Sequence, residues 1–422
     1  MTDRLERRLP EVLTELSLPR MPDYVDDLLS RTQRMPQRPG WTFLERWFPV
    51  STLTQAASPA GPRLALRPLI ALALLLALVV ASVAWYAGSQ QNLPAPFGPA
   101  RNGLVITTNE AGNVVAVDPV TDSAKTLVSG TDVCCIDVAP DGRTFAFVRT
   151  GPSWEDPGGL VLANVDGSNV RELAPELVRF LESLDWSPAS DRLLIANAAG
   201  AVIVDAASGQ STALDVPFSP IRASWLGTSG DILLTRIVAQ SPQNGLTLAV
   251  HRLPAGATTN PLFVTELEYA VNPPLVSPDG SKFMYFIWGP QERLHGRVHV
   301  FDLGAGTDRA ITPEFVEPLA EKTHWENAVW SPDSSRIAVE RYSVTDNQVA
   351  IIPADGGEPI LVGPTFPTGT NGAAIRFSPD GTSLLVTYRF NNTTWLLPVA
   401  GGEGRKVPWA VTEEMDWQRL GP

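Results

Sequence analysis

The chain has 422 residues, of which 44% are hydrophobic and 18% charged, a balance of globular rather than disordered proteins. Its formal net charge of -13 is uneven: residues 1–67 hold ten arginines against eight acids, leaving 22 basic and 37 acidic residues beyond them. That acidic remainder repels a phosphate backbone, which excludes nucleic acid as its partner.

Residues 1–67 read as a short arm of amphipathic helices. Leu5, Leu9, Val12 and Leu16 recur at helical spacing, and a second helix from Asp23 gathers Val25, Leu28 and Leu29. Then "QRPGWTFLERWFPV" places Trp41, Phe43, Trp47 and Phe48 within eight residues. So short an arm has little interior to bury them, so they are expected to contact the inner membrane surface or a cytoplasmic partner. The arm resembles cytoplasmic arms of bacterial membrane proteins linked to sigma factors or their regulators, which implies such a regulator as partner. The Cys/His cluster of zinc-binding anti-sigma domains is missing from it.

From Leu69 to Ala87 runs "LIALALLLALVVASVAWYA", nineteen residues without a charge. As a helix this is about 28 Å long, close to the hydrocarbon thickness of a bilayer. Residues 68–87 are therefore expected to form one transmembrane helix. Arg63 and Arg67 precede it, no Lys or Arg follows before Arg101, and Trp85 and Tyr86 mark its far end. The excess of positive charge keeps the N-terminus cytoplasmic and sends the rest of the chain outside. "SVA" at 82–84 suits a signal peptidase, but the residues ahead of the apolar run are too many for a signal-peptide n-region. Residues 88–102, rich in Pro and Gly, read as a linker.

Beyond the linker the sequence repeats. "VAPDG" (138–142), "WSPAS" (186–190), "VSPDG" (276–280), "WSPDS" (330–334) and "FSPDG" (377–381) recur, with "WLGTSG" (225–230) as a degenerate copy. Each lies between two short apolar runs. Proline presets the first central residue of a turn, aspartate accepts the following amides, and glycine supplies a positive φ, so each tract is a hairpin turn. A second series, "VDPVTDSAKTL", "VDAASGQSTAL" and "FDLGAGTDRAI", supplies another strand–turn–strand per period. Four antiparallel strands repeating at about 40–50 residues are the mark of a β-propeller.

Six full units begin near residues 133, 181, 220, 270, 325 and 371. Three strands precede the first unit and one, around 413–419, follows the last. Three and one make a seventh blade closed between the ends of the domain, which removes the open sheet edges. The expected fold is all-β, a seven-bladed propeller over 103–422, with six or eight blades as alternatives.

The "WSPDG" strand–turn signature resembles the TolB-like, WD-like family of β-propeller repeats across 103–422. The resemblance implies an extracytoplasmic interaction scaffold. Members are typically six-bladed and secreted by a cleavable signal, and this chain departs from both traits.

Chemistry is sparse. No G-x-S-x-G elbow occurs and no segment remains for an α/β-hydrolase domain, so the chain is expected not to be an enzyme. His295 and His299 are four apart, and strand residues at that spacing lie about 13 Å from each other, too far to share a metal. "NVDGSN" (164–169) lacks the closing glutamate of a calcium loop and reads as a turn. No metal or cofactor is expected. Cys134 and Cys135 are the only cysteines; as strand neighbours their side chains point to opposite faces, and both read as small buried apolar residues. Trp186, Trp225, Trp330, Phe377 and Trp417 read as core between units. One residue before four of the inner-strand apolar positions stand Asp137, Asp185, Arg376 and Asp416, and innermost strands line a propeller's channel. These four are the candidate ligand-binding residues. The expected function is binding of an extracytoplasmic protein, peptide or glycan by a membrane-anchored module that couples to a cytoplasmic partner, the alternatives being a purely structural envelope scaffold and, behind it, a propeller-type enzyme.

Overall fold

The computed structural model describes residues 94–130, 133–149, 159–173, 181–241, 245–288, 296–312, 324–343, 346–367, 372–389, 391–409 and 414–421. The arm, with Trp41, Phe43, Trp47 and Phe48, and the apolar run from Leu69 to Ala87 lie outside them. No helix among the described residues is long and apolar enough to cross a membrane. Residues Ala87–Pro422 form one compact unit.

Every regular element described in it is a strand. They are β1 (Arg101–Thr108), β2 (Val114–Val117), β3 (Ala124–Val128), β4 (Val133–Val138), β5 (Thr144–Arg149), β6 (Gly159–Asn164) and β7 (Arg171–Leu173). Next come β8 (Leu181–Trp186), β9 (Arg192–Asn197), β10 (Gly200–Asp205), β11 (Ser211–Leu214), β12 (Arg222–Leu226), β13 (Asp231–Ser241), β14 (Gly245–Leu253) and β15 (Leu262–Ala270). They are followed by β16 (Leu275–Val276), β17 (Lys282–Ile287), β18 (Arg297–Asp302), β19 (Thr307–Ala310), β20 (His324–Trp330), β21 (Arg336–Tyr342), β22 (Asp346–Pro353) and β23 (Ile360–Pro367). The last are β24 (Ala373–Phe377), β25 (Ser383–Tyr388), β26 (Thr393–Pro398), β27 (Arg405–Lys406) and β28 (Met415–Leu420).

Pairing is antiparallel and sequential. β4–β7, β8–β11, β20–β23 and β24–β27 are four-stranded sheets, while β12–β19 form one eight-stranded sheet whose halves join through the single pair Ala270↔Ile287. The remaining sheet mixes the two ends of the domain in the order β28-β1-β2-β3. There Val105 faces Trp417, Ile106 faces Asp416 and Thr107 faces Met415. This pairing satisfies backbone groups of β1 that would otherwise form an open edge.

The second strand of each unit is buried on both faces, as in β5 ("TFAFVR"), β17 ("KFMYFI") and β25 ("SLLVTY"). Such strands read as continuous apolar runs because a neighbouring sheet covers each side. The fourth strands, such as β3, β11 and β27, are largely exposed and correspondingly polar. Core clusters lie between consecutive units rather than inside one. Val148 and Leu160 pack with Trp186, Leu193 and Ile195, and Val105, Met415 and Trp417 pack with Leu385.

The Ser-Pro-Asp-Gly tracts are the turns between first and second strands. Ser277, Ser331 and Ser378 each donate from Oγ to the tract's own aspartate at 2.5–2.6 Å, and their Oγ atoms accept the amides of Lys282, Arg336 and Ser383. Burial alone would raise Asp279, Asp333 and Asp380, but these serine bonds hold all three below the ordinary carboxylate range. Gly142, Gly280 and Gly381 take positive φ, and Ser190 and Ser334 stand in the same conformation. Those serines have a use: Ser190 Oγ accepts Asp141 N–H at 3.0 Å and Ser334 Oγ accepts Asp279 N–H at 3.1 Å, tying each turn to the one before it.

Candidate functional site

The first strands of the units face one another. Contacts run from β28 to β4, β4 to β8, β8 to β12, β12 to β16, and again from β20 to β24 and β24 to β28. Asp137, Asp185, Arg376 and Asp416 stand on four of these strands, and Asp137 lies close enough to the other three to feel their charges. Three of them are committed to the neighbouring strand. Asp416 Oδ2 accepts Val138 N–H at 2.8 Å, Asp185 Oδ2 accepts Trp225 N–H at 2.7 Å, and Asp137 accepts from the backbone of Trp186. Asp416 Oδ1 also accepts Trp417 N–H at 2.8 Å. The indoles answer in the other direction: Trp186 Nε1 donates to Asp137 O at 3.1 Å and Trp330 Nε1 to Leu275 O at 2.9 Å.

These carboxylates are buried near one another. Burial pushes Asp137 well up, Asp416 and Asp185 push it further, and Arg376 opposes them. Burial also raises Asp416, again against Arg376. Asp185 is pushed up to about 6 by burial, with the Trp225 amide and Arg222 pulling down. Arg376 lies among these acids, and the hydrogen bond described for it goes to its neighbour's carbonyl, Ile375 O, at 2.9 Å.

Two further arginines belong to the site. Arg222 opens β12; burial lowers its affinity for a proton while Asp185 and Asp137 restore it. Arg419 lies two residues after Trp417, also lowered by burial and opposed by Asp416. The Nε atoms of both are buried without a hydrogen-bond partner. Both line a cavity of about 250 Å³ with Asp185, Ser224, Trp225 and Phe97. Phe97 arrives on the linker. Gly98 N–H donates to Pro332 O at 3.0 Å, Ala100 N–H donates to Pro379 O at 2.8 Å, and Arg419 Nη2 donates to the carbonyls of Ala95 and Gly98. Residues 94–100 thus form a strap over the axis on the side of the Ser-Pro turns.

The sequence reading passed over Arg222, Arg419 and the strap. A usable signal for Arg222 lay two alignment columns away from the candidate residues: three residues before the inner-strand apolar position stand Cys135, Ser183, Arg222, Asn327, Ala374 and Glu414. The expectation that the two cysteines point to opposite faces is overturned, although both do pack against the apolar cluster around Trp186. Both are half-buried, and a bulge between Cys134 and Asp137, with Cys135 at φ 63°, breaks the strand alternation and brings the two Sγ atoms to 2.8 Å. Among the described residues no group of three or more His, Cys, Asp or Glu is placed to hold a metal ion.

No protein-family model matches the chain, and no curated protein matches its sequence. Solved structures do resemble it. An oligogalacturonate lyase in complex with manganese is 14% identical, with a TM-score of 0.53, over 75% of this chain and 86% of that one. A prolyl endopeptidase is 13% identical with a TM-score of 0.52, over 77% of this chain and 50% of that one. The β-propeller domain of the trilobed protease from Pyrococcus furiosus is 12% identical with a TM-score of 0.52, over 77% and 98%. At these identities the likeness shows the fold, an all-β propeller, and nothing finer. It does overturn the expectation that the chain is not an enzyme. That expectation rested on the lack of a separate catalytic domain, yet the match spans most of an oligogalacturonate lyase, so an enzyme can be built almost wholly from this fold.

Proposed function

We propose that the chain is a single-pass membrane protein of the bacterial cell envelope, with a cytoplasmic N-terminus and an extracytoplasmic seven-bladed propeller that binds a protein, peptide or glycan segment on its axis. The count of seven, rather than six or eight, rests on the seven core clusters found among the described residues, one between each pair of neighbouring four-stranded units, and on the β28–β1 pairing. The binding reading is carried by the arginines. Asp137, Asp185 and Asp416 are committed to bonds between strands, whereas Arg376 has its described bond only to its own neighbour and Arg222 carries a buried donor without an acceptor. Buried donors left unpaired are costly, and the carboxylate or hydroxyl oxygens of a ligand satisfy them. Because the strap covers the mouth on the linker side, the ligand enters from the opposite face.

In this reading the arm, through Trp41, Phe43, Trp47 and Phe48, lies on the inner membrane surface or docks a cytoplasmic partner such as a sigma-factor regulator. A structural scaffold would hold its envelope partner equally well without residues 1–60; a transmembrane coupler would still bind it but lose its cytoplasmic response. The test is affinity capture from envelope extract with the full chain and with Arg376→Gln. A component retained by the first and lost by the second, at unchanged thermal stability, is expected. Identical capture by both refutes the axial site. Asp185 favours one further reading, since a carboxyl that burial pushes up to about 6 on the wall of a cavity suits proton transfer. Turnover in a screen of glycans and peptides that disappears in Asp185→Asn would support it.

A further inference from the structure

Cys134 and Cys135 stand on β4, the first strand of its unit. Successive side chains of a strand point to opposite faces, which keeps neighbouring sulfurs apart. Here the bulge and the left-handed conformation of Cys135 turn both sulfurs to one side, 2.8 Å from each other. The bulge itself belongs to the fold. Asn327, at the equivalent position of β20, has φ 53°, beside a register shift of its own. Asparagine enters this region readily and cysteine does not, so the backbone alone gives no reason for a cysteine at position 135.

The pair is also held in place. Cys135 N–H donates to Glu414 Oε2 at 2.5 Å, and the carbonyl of Glu414 accepts Thr107 Oγ1 at 3.0 Å. The backbone of Cys135 is thus tied to the segment that leads into the closing strand β28, while both side chains pack at the edge of the apolar cluster around Trp186 and remain partly open to solvent. They are chemically unlike. The bond from the Cys135 thiol favours a thiolate on Cys134, against burial and Glu414, whereas that bond, burial, and the charges of Glu414 and Asp137 push Cys135 up. Of the two, Cys134 is the one favoured as a thiolate.

We propose that Cys134 and Cys135 form a redox-active vicinal dithiol that takes a low-molecular-weight disulfide as its oxidant. The Cys134 thiolate attacks one sulfur of that disulfide, forming a mixed disulfide and expelling the other half as a thiolate. Cys135 then loses its proton and attacks Cys134 Sγ, forming the Cys134–Cys135 bond and expelling the second half. The dithiol loses two electrons and two protons in all, and the oxidant leaves as two thiols. Since the only two cysteines of the chain are this pair, no other intramolecular disulfide competes.

Oxidised glutathione is the probe. After exposure of the full chain and alkylation, the peptide containing both cysteines is expected to be lighter by two hydrogens, unalkylated, and restored by dithiothreitol. Cys135→Ser is expected to accumulate a single glutathione adduct on Cys134 instead, and Cys134→Ser to form far less of it; equal adducts on the two variants overturn the assignment of roles. A lasting adduct on the wild type, two alkylated thiols after oxidation, or disulfide-linked dimers would each overturn the proposal. Phenylarsine oxide, which bridges paired thiols, gives an independent check. It is expected to stay on the reduced wild type and wash off both single variants; equal retention by all three, or by none, overturns the pairing.

Discussion

Replacing Trp417 by alanine tests how the two ends of the propeller hold together. Trp417 is 4% exposed, faces Val105 across the β28–β1 ladder, and packs with Leu385 and Met415. Truncating a buried aromatic to alanine costs about 3–5 kcal/mol. Part of that cost is offset here, because the indole Nε1 is buried without a partner and its removal recovers roughly 1 kcal/mol or more of desolvation penalty. The expected net loss is about 2–4 kcal/mol, concentrated on opening of the closing sheet. At about 1.4 kcal/mol per decade, amides of residues 104–108 should exchange with solvent about 30- to 1,000-fold faster, while β9 or β21 changes far less. Peptide-resolved hydrogen exchange reads both regions in one experiment. Trp186→Ala is the internal comparison: its Nε1 donates to Asp137 O, so that variant lacks the offset and is expected to cost roughly 1 kcal/mol more. Exchange at 104–108 that stays within about threefold of wild type would refute the claim that Trp417 holds the ends together.

Asp185, pushed up to about 6 from an ordinary value of 3.8, holds an extra proton in the folded state between those limits, so stability falls as pH rises through that window. Asp185→Asn keeps an acceptor for Trp225 N–H and removes this slope; relative to wild type it should gain up to about 3 kcal/mol between about pH 4 and 6 by denaturant melts, and a pH-independent difference counts against the burial argument. Ser334→Ala should cost about 1–2 kcal/mol, because Asp279 N–H loses its acceptor and alanine keeps the strained φ, whereas Ser334→Gly relieves the backbone and should cost less; the reverse order in thermal melts would be incompatible with the turn-to-turn bond. A reporter fused after Pro422 is expected to work only as an extracytoplasmic enzyme, given Arg63 and Arg67 before the apolar run; activity of a cytoplasmic reporter would invert the topology.

What the sequence determined by itself was local. Serine, proline, aspartate and glycine in fixed order dictate a turn through bonds that span two to five residues, so the tracts announced antiparallel strand units wherever they occurred. Continuous apolar runs likewise marked the doubly covered second strands. Asp137, Asp185, Arg376 and Asp416 were visible as a column, but a column does not say what its side chains bond. That depends on register between strands: Asp185 reaches Trp225 forty residues on, and Asp416 reaches Val138 across 278 residues. The same register placed Arg222 and Arg419 on the cavity and drew the linker over it as a strap. The cysteine pair was misread because strand alternation is a rule for unbroken ladders, and one left-handed residue cancels it. The same left-handed bulge recurs at Asn327 of β20 and so belongs to the fold, while Glu414, which holds the Cys135 amide, stands 279 residues away, beyond any short window of sequence.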